Sequence, residues 1–64
     1  MPSSVIRNWR YHQAERRLDI LFVSGRRYSY HQVPPRIAEE MQAALSKGGY
    51  FNRHIRDYFA FTEH

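Results

Sequence analysis

Hydrophobic and polar positions alternate through the first half of the chain. Between residues 4 and 33 the apolar side chains recur at every second position, with polar interruptions at 12–16 and 24–25. Successive side chains of a β-strand point to opposite faces of a sheet, so this period predicts three consecutive antiparallel strands, near residues 4–11, 17–24 and 26–32. The first half of the chain is therefore expected to form a β-meander whose second strand is central.

The central predicted strand is apolar on both faces. Three of its residues share one face and two share the other: Leu18, Ile20 and Phe22 against Leu21 and Val23. One sheet face is expected to pack against the helices. The other face, which carries Trp9 or its neighbours, then needs a further partner to bury its apolar side chains. This pattern leads us to expect a homodimer, as in small regulators that bind duplex DNA.

The residues after the strands are typical of helices. Val33-Pro34-Pro35 ends the strand region, because proline donates no backbone hydrogen bond and restricts the residue before it. A first helix is predicted from Pro35 onward, where four apolar residues share one stripe at helical spacing: Ile37, Met41, Ala44 and Leu45.

Gly48-Gly49 is expected to break the first helix, because glycine adopts the positive φ of a helix C-cap or a tight turn. A second, shorter helix is predicted from about Tyr50 to Tyr58, with apolar residues four apart at Phe51, Ile55 and Phe59. The aromatic residues of the segment 59–64 are expected to dock on the monomer or on a partner. The fold class is α+β, a three-stranded antiparallel β-meander followed by two helices packed on one face.

Chain length and the absence of cysteine limit the class of protein. Sixty-four residues with 42% hydrophobic content are expected to form one folded domain spanning 1–64. Without cysteine there is no disulfide framework, and the four histidines lack metal-ligand spacing, so neither a metal nor a small-molecule cofactor is expected. No apolar run approaches the length of a membrane span, and we expect a cytoplasmic protein with no membrane association.

Arginine dominates an excess of positive charge. The chain carries 10 Lys and Arg against 6 Asp and Glu, and Lys47 is the one lysine. Planar guanidinium groups pair with phosphate and stack on bases, and here they are interleaved with tyrosines. We therefore interpret the chain as a small, basic, non-enzymatic module that binds RNA or DNA. The expected contact residues are Arg7, Arg10, Arg26, Arg27, Lys47, Asn52, Arg53 and Arg56, with Arg53 and Arg56 on one helical face.

Two other functions remain open at this stage. Tyr28 and Tyr30 are equally typical of a packed core, and Asn52 of a capped turn. The first alternative is a protein-interaction or oligomerisation module, in which the aromatic residues form a protein interface and the charge only keeps the domain in solution. A small ribonuclease is the second alternative, because His12 and His31 lie near predicted strand ends, and two imidazoles with a cation supply a general base and acid.

Ordered motifs cover residues 3–56 of the chain. They include Leu18-x-Ile20-x-Phe22, Gly25-x-x-Tyr28-x-Tyr30 and Gly48-x-x-Phe51-Asn52-x-x-Ile55-Arg56. This order resembles the KTSC domain, a family named for its place at the C-terminus of some lysyl-tRNA synthetases and also found as small bacterial and phage proteins. The resemblance implies three antiparallel strands followed by helices, suggests nucleic-acid binding, and gives Gly48, Phe51, Asn52 and Arg56 as signature positions.

Overall fold

The computed structural model describes residues 6–64, which form four strands and two helices. The elements are β1 (Ile6–His12), β2 (Arg17–Phe22), β3 (Arg27–Tyr30), α1 (Pro35–Ala43), α2 (Lys47–His54) and β4 (Phe61–Glu63). The predicted α+β class and the meander are confirmed, and a fourth strand extends the sheet. Positions 4 and 5 of the first predicted strand lie outside the described residues. Within residues 6–64 no helix is long and apolar enough to cross a membrane.

The strands form one antiparallel sheet in the order β1-β2-β3-β4. β4 pairs with β3 in the register Tyr28↔Glu63, Ser29↔Thr62 and Tyr30↔Phe61. Two backbone hydrogen bonds flank this pairing: the His31 N–H donates to the Ala60 carbonyl and the His64 N–H donates to the Arg27 carbonyl, each at 2.9 Å. The C-terminal segment therefore docks on the sheet of its own chain, one of the two expected arrangements.

β1 is an edge strand with an irregularity near its start. Its pairing with β2 shifts register between Ile6 and Asn8, which leaves Arg7 as the extra residue of a β-bulge. Arg7 is exposed. Bulges and charged side chains at a sheet edge oppose the addition of a further strand, so this edge of the sheet is protected against pairing with another chain.

The two helices cover one face of the sheet and bury its apolar residues. Leu18 and Ile20 of β2 are 0% and 1% exposed. Their neighbours on β1, Tyr11 and Trp9, pack against the same core, and the Tyr11 hydroxyl donates to the Val33 carbonyl at 2.6 Å. The remaining buried members of the core are Tyr30, Val33, Ile37, Met41, Phe51 and Ile55.

α1 is shorter than the apolar stripe that predicted it. The helix ends at Ala43, and Ala44 is extended with φ −69° and ψ 140°. Leu45 is consequently turned into solvent and fully exposed, whereas Ile37 and Met41 of the same stripe are buried. The prediction that Leu45 shares their buried stripe is wrong, because a helical stripe continues only as far as the helix does.

α2 begins at Lys47 and not at Tyr50. The Ser46 hydroxyl caps it by accepting a hydrogen bond from the Gly49 N–H at 3.0 Å, so the two glycines lie in the first turn of the helix. A Cβ on Gly49 would stand 2.9 Å from Ser46 Oγ, and the cap therefore needs glycine at this position. The prediction that Gly48-Gly49 lies between the helices as a break is wrong, because Ser46 supplies the helix start.

α2 also ends earlier than predicted, at His54 and not at Tyr58. The Ile55 and Arg56 N–H groups both donate to the Phe51 carbonyl at 3.0 Å, which closes the helix and starts a turn. Arg56 belongs to that turn. The expectation that it shares a helical face with Arg53 is therefore wrong.

Candidate nucleic-acid interface

Five aromatic rings line a groove between the β2–β3 hairpin, α2 and β4. We call this surface the aromatic groove: it comprises Phe22, Tyr28, Tyr30, Phe51 and Phe61. Strand alternation places both tyrosines on one side of β3, and the pairing of β4 sets Phe61 opposite Tyr30. The volume of the groove is about 590 Å³, within the range of about 300–1,000 Å³ that is common for small-molecule sites.

Contacts between the rings fix the shape of the aromatic groove. Phe51 meets Phe22 and Tyr30 edge-on, with ring centroids 5.4 Å apart in both cases. Phe61 lies 5.3 Å from Tyr28 and 5.6 Å from Tyr30, yet 53% of it is exposed. Phe51 and Tyr30 are thus the buried floor, and Phe61 is a lip whose ring is available to stack on a planar ligand.

Polar side chains surround the mouth of the groove. They are Arg26 of the hairpin, Asn52 of α2, and Arg56 and Asp57 of the turn after α2. Asn52 is half-buried, and its amide takes part in none of the side-chain hydrogen bonds found among residues 6–64. The turn that it was expected to cap is capped by Ser46. The Asn52 amide is therefore free to contact a ligand.

The Tyr30 phenol lies near two opposite charges at the groove. Burial is the largest influence and raises the pKa of Tyr30 to about 12, with Tyr28 and Asp57 raising it and the Arg56 guanidinium lowering it. The hydroxyl therefore stays protonated at neutral pH. Arg56 and Asp57 are both exposed, and within the described part of the chain neither forms an ion pair. Both charges are available to a ligand beside a neutral phenol.

The other predicted contact residues lie away from the groove. Arg10 and Arg27 are on the opposite face of the sheet, Arg7 is at the β1 bulge, and Arg53 is exposed on α2. Lys47 caps the C-terminal end of α1, where its ammonium donates to the carbonyls of Gln42 at 3.0 Å and Ala44 at 2.7 Å. The structure thus brings Arg26, Asn52 and Arg56 together and distributes the rest.

The groove also contains residues that were not among the predicted contacts, and Phe22, Asp57 and Phe61 are three of them. Phe22 was assigned to the helix-facing side of the sheet, which is correct, but it is the last residue of β2 and is only half-buried. Phe61 alternates with Phe59, but its strand has three residues and is too short for this period to predict it. No pattern in the sequence predicts the place of Asp57, because it is set by the turn after α2.

The sheet face opposite the helices is polar, and we call it the open face. Alternation along the strands assigns to it Asn8, Arg10, His12, Arg17, Asp19, Leu21, Arg27, Ser29 and Thr62. Val23 is absent from this face because β2 ends at Phe22 and the following turn carries Val23 to the rim of the groove. The prediction that Val23 lies on a second apolar face of the sheet is therefore wrong. The homodimer that was expected from this face stays a prediction.

Asp19 is the centre of a hydrogen-bond network on the open face. Its Oδ1 accepts from Ser29 Oγ at 2.7 Å and from Arg17 Nε at 3.1 Å, and its Oδ2 lies 3.0 Å from His12 Nε2. Ser29 Oγ is also 2.7 Å from His64 Nε2, and since the Ser29 proton goes to Asp19, the His64 ring donates.

The network determines the direction in which the pKa of Asp19 moves. Partial burial raises it, but the hydrogen bonds from Ser29 and Arg17 and the charges of Arg17 and His12 outweigh burial. The pKa of Asp19 therefore lies below its usual 3.8. A carboxyl whose pKa is lower in the folded state stabilises the fold above its unfolded pKa, and this contribution is lost as the pH falls through the folded pKa.

Asp19→Asn is expected to lower the free energy of unfolding at pH 7 by about 1 kcal/mol, because the charged acceptor of three donors is lost from a partly exposed site. Urea unfolding between pH 7 and pH 2 measures this loss and also the acid dependence, which we expect to be weaker in the variant below about pH 4. Glu15→Gln, which removes an exposed carboxylate in the β1–β2 turn, is the control. An acid dependence identical to that of the wild type would contradict the network.

The two histidines of the ribonuclease alternative are held by different partners. His12 Nε2 contacts Asp19, whereas His31 Nε2 lies 2.8 Å from Thr62 Oγ1. A general acid and base act on one phosphate only when both rings face it. These contacts direct the rings to separate side chains, so they lend the ribonuclease hypothesis no support.

Comparison with known families places this fold and its motifs in a defined class. The model of the KTSC domain family matches residues 2–59. The chain belongs to the KTSC domain family, which confirms the resemblance found in the sequence.

Relatives of the chain include both large enzymes and small proteins. A lysine–tRNA ligase of Nostoc punctiforme is 42% identical over 60 residues, which are 94% of this chain and 11% of the ligase. A protein of Tsukamurella paurometabola is 35% identical over 92% of this chain and 88% of its own length. The crystal structure of a KTSC domain protein from Yersinia pestis matches with a TM-score of 0.90 and 32% identity, over 100% of this chain and 90% of that one. The chain thus spans only a small part of the tRNA ligases that it resembles.

Proposed function

We propose that this KTSC domain binds single-stranded RNA, with an unpaired base in the aromatic groove and the adjoining phosphates on arginine side chains. One structural observation supports this function above the others. Exposed and buried aromatic rings, two arginines and an amide without an internal partner meet at a single groove. These are the groups with which proteins hold unpaired bases and the phosphates between them.

The aromatic rings of the groove suit a planar ligand, such as a base, that has hydrogen-bonding groups along its edge. Phe61 supplies an exposed face, and the floor below it is formed by Tyr30 and Phe51. Stacking of a base on such a ring contributes about 1–3 kcal/mol for each base and accepts any base. The Asn52 amide at the rim adds both a donor and an acceptor for a base edge.

Arg26 is the side chain best placed to hold a phosphate beside the groove. It lies in the turn of the β2–β3 hairpin, its side chain is 68% exposed, and its contact with Glu63 is 3.9 Å long. An exposed pair of this length contributes little to stability, so the guanidinium exchanges it for phosphate at small cost. A phosphate accepts the planar fork of arginine in bidentate geometry.

A single strand is favoured over a duplex because paired bases are stacked inside a helix and do not enter a groove. RNA is favoured over DNA because several relatives of this chain are lysine–tRNA ligases. The net charge of +4 adds attraction to either polyanion without distinguishing them.

Fluorescence anisotropy at several salt concentrations tests the proposal. The probes are a labelled single-stranded RNA of ten nucleotides, DNA of the same sequence, and the RNA duplex. We expect the single-stranded RNA to bind most tightly, and Arg26→Ala to reduce the slope of log K against log salt by about 0.7, the value for one lost phosphate contact on a single strand. Arg36→Ala is the matched control, because this arginine is exposed on α1 and does not line the groove.

Three results of this experiment would contradict the proposal or a part of it. Equal or tighter binding of the duplex would remove the role of an unpaired base. Absence of binding to all three probes at low salt would favour the protein-interaction module, in which the exposed aromatic residues contact another protein. Equal slopes for Arg26→Ala and Arg36→Ala would remove the phosphate contact assigned to Arg26.

A further inference from the structure

We infer that the aromatic groove selects guanine, which Arg56 and Asp57 recognise along adjacent parts of the base edge. This inference rests on the proposed function, because it names the base that the groove accepts from a single strand. Asp57 is the acidic residue among those that line the groove, and the same lining includes Arg26 and Arg56.

Several other carboxylates of the chain form hydrogen bonds or ion pairs within the domain, and Asp57 differs from them. Asp19 is held by Ser29 and Arg17, and Glu40 accepts the Tyr50 hydroxyl at 2.6 Å. Within residues 6–64 Asp57 has neither an ion pair nor a hydrogen bond from a side chain. A carboxylate at this position repels phosphate, so toward RNA its favourable role is to accept hydrogen bonds from the N–H groups of a base.

Arg56 supplies the opposite chemistry one residue earlier. Its guanidinium carries only donors, and its usual bidentate partner among the bases is the O6 and N7 pair of guanine. Both side chains line the groove, and both charges act on the same Tyr30 phenol, Arg56 lowering its pKa and Asp57 raising it. A guanidinium and a carboxylate from consecutive residues therefore both line the groove that contains the aromatic rings.

The order of polar groups on guanine matches this pair. Along one side of the base run two acceptors, N7 and O6, followed by two donors, N1–H and N2–H. A guanidinium pairs with the first two groups and a carboxylate with the next two. Adenine places a donor at N6 between acceptors at N7 and N1, so it leaves the guanidinium facing a donor and the carboxylate facing an acceptor. The same two side chains thus attract guanine and reject adenine.

Anisotropy with a labelled oligouridine that carries one central substitution tests the selection. The central nucleotide is guanosine, inosine, adenosine or uridine. We expect guanosine to bind at least about fivefold more tightly than adenosine, the ratio that corresponds to the lower limit for one bidentate contact. Inosine, which lacks the 2-amino group, is expected to fall between them because it loses one of the two bonds to Asp57.

Asp57→Asn is expected to abolish the preference for guanosine over adenosine and to tighten binding of the all-uridine strand, since a negative charge that repels phosphate is removed. Glu39→Gln is the matched control: it makes the same change of charge on the exposed side of α1, outside the groove. Arg56→Lys is the second variant, because it keeps the charge and the salt dependence but loses the bidentate fork. Circular dichroism checks that each variant is folded, which is the expected result for substitutions at exposed positions.

The possible outcomes separate this inference from the function on which it rests. Equal affinity for all four strands, or a preference for adenosine or uridine, would overturn guanine selection and leave single-strand binding intact. A guanosine preference that survives in both Asp57→Asn and Arg56→Lys would overturn the assignment of these residues. Absence of binding to every strand would overturn the proposed function together with the inference.

Discussion

Leu18→Ala is expected to lower the free energy of unfolding by about 2–5 kcal/mol, the range for removing a leucine side chain from a packed core. Leu18 is 0% exposed, is the second residue of β2, and belongs to the core cluster that contains residues of both helices. A domain of this size has about 3–10 kcal/mol of stability in total, so the variant loses a large part of it. Urea unfolding followed by circular dichroism measures the loss.

Leu45→Ala is the matched control for Leu18→Ala, because the chemical change is the same and Leu45 is fully exposed. Its unfolding midpoint is expected to equal that of the wild type. Ile20→Val, with an expected loss of about 0.5–1.5 kcal/mol, gives a graded measurement where Leu18→Ala is too unstable to analyse. Similar losses for the two leucine variants would contradict both the end of α1 at Ala43 and the exposure of Leu45.

Phe61→Ala is expected to weaken binding of single-stranded RNA by at least about fivefold, the lower limit for losing one stacked base. The ring is 53% exposed, so its loss from the lip of the groove removes a ligand contact more than it removes packing. The slope of log K against log salt is expected to stay constant, because no charge is removed. Salt-dependent anisotropy therefore distinguishes this variant from Arg26→Ala.

Tyr58→Ala is the control for the aromatic groove. Tyr58 is 70% exposed and three residues from Phe61, but it does not line the groove. Its substitution is expected to leave RNA affinity unchanged. Equal weakening by both variants would show that exposed aromatic residues act without regard to the groove, and an unchanged affinity in Phe61→Ala would remove the stacking role of the lip.

The meander was predictable because its information is local. Leu18, Ile20 and Phe22 alternate with polar or outward-facing residues, and sheet burial requires that period. Helix boundaries were harder, since they depend on single hydrogen bonds. Because Ser46 caps α2, the helix begins before Gly48 and Gly49, although glycine is more typical of the end of a helix.

The groove was predictable only in part because it is assembled from distant segments. Arg26, Asn52 and Arg56 could be predicted as contacts because arginine and amide groups lie among aromatic residues in the sequence. The structure brings these three residues together at the groove. Phe61 belongs to a strand of three residues, too short for a periodic pattern to identify it. Asp57 becomes a candidate contact only through the residues that lie near it in the folded chain. Its place beside them depends on where α2 ends and on how β4 pairs with β3.

The shortness of β4 links the opening of this strand to the binding of any molecule that stacks on Phe61. A strand of three residues at a sheet edge opens locally at a small cost in free energy, and this opening exposes the His31 and His64 amides to hydrogen exchange. Because β4 carries the Phe61 lip, a molecule that stacks on this ring binds the closed strand and stabilises it by mass action. Occupation of the groove and closure of the last strand are thus a single linked equilibrium.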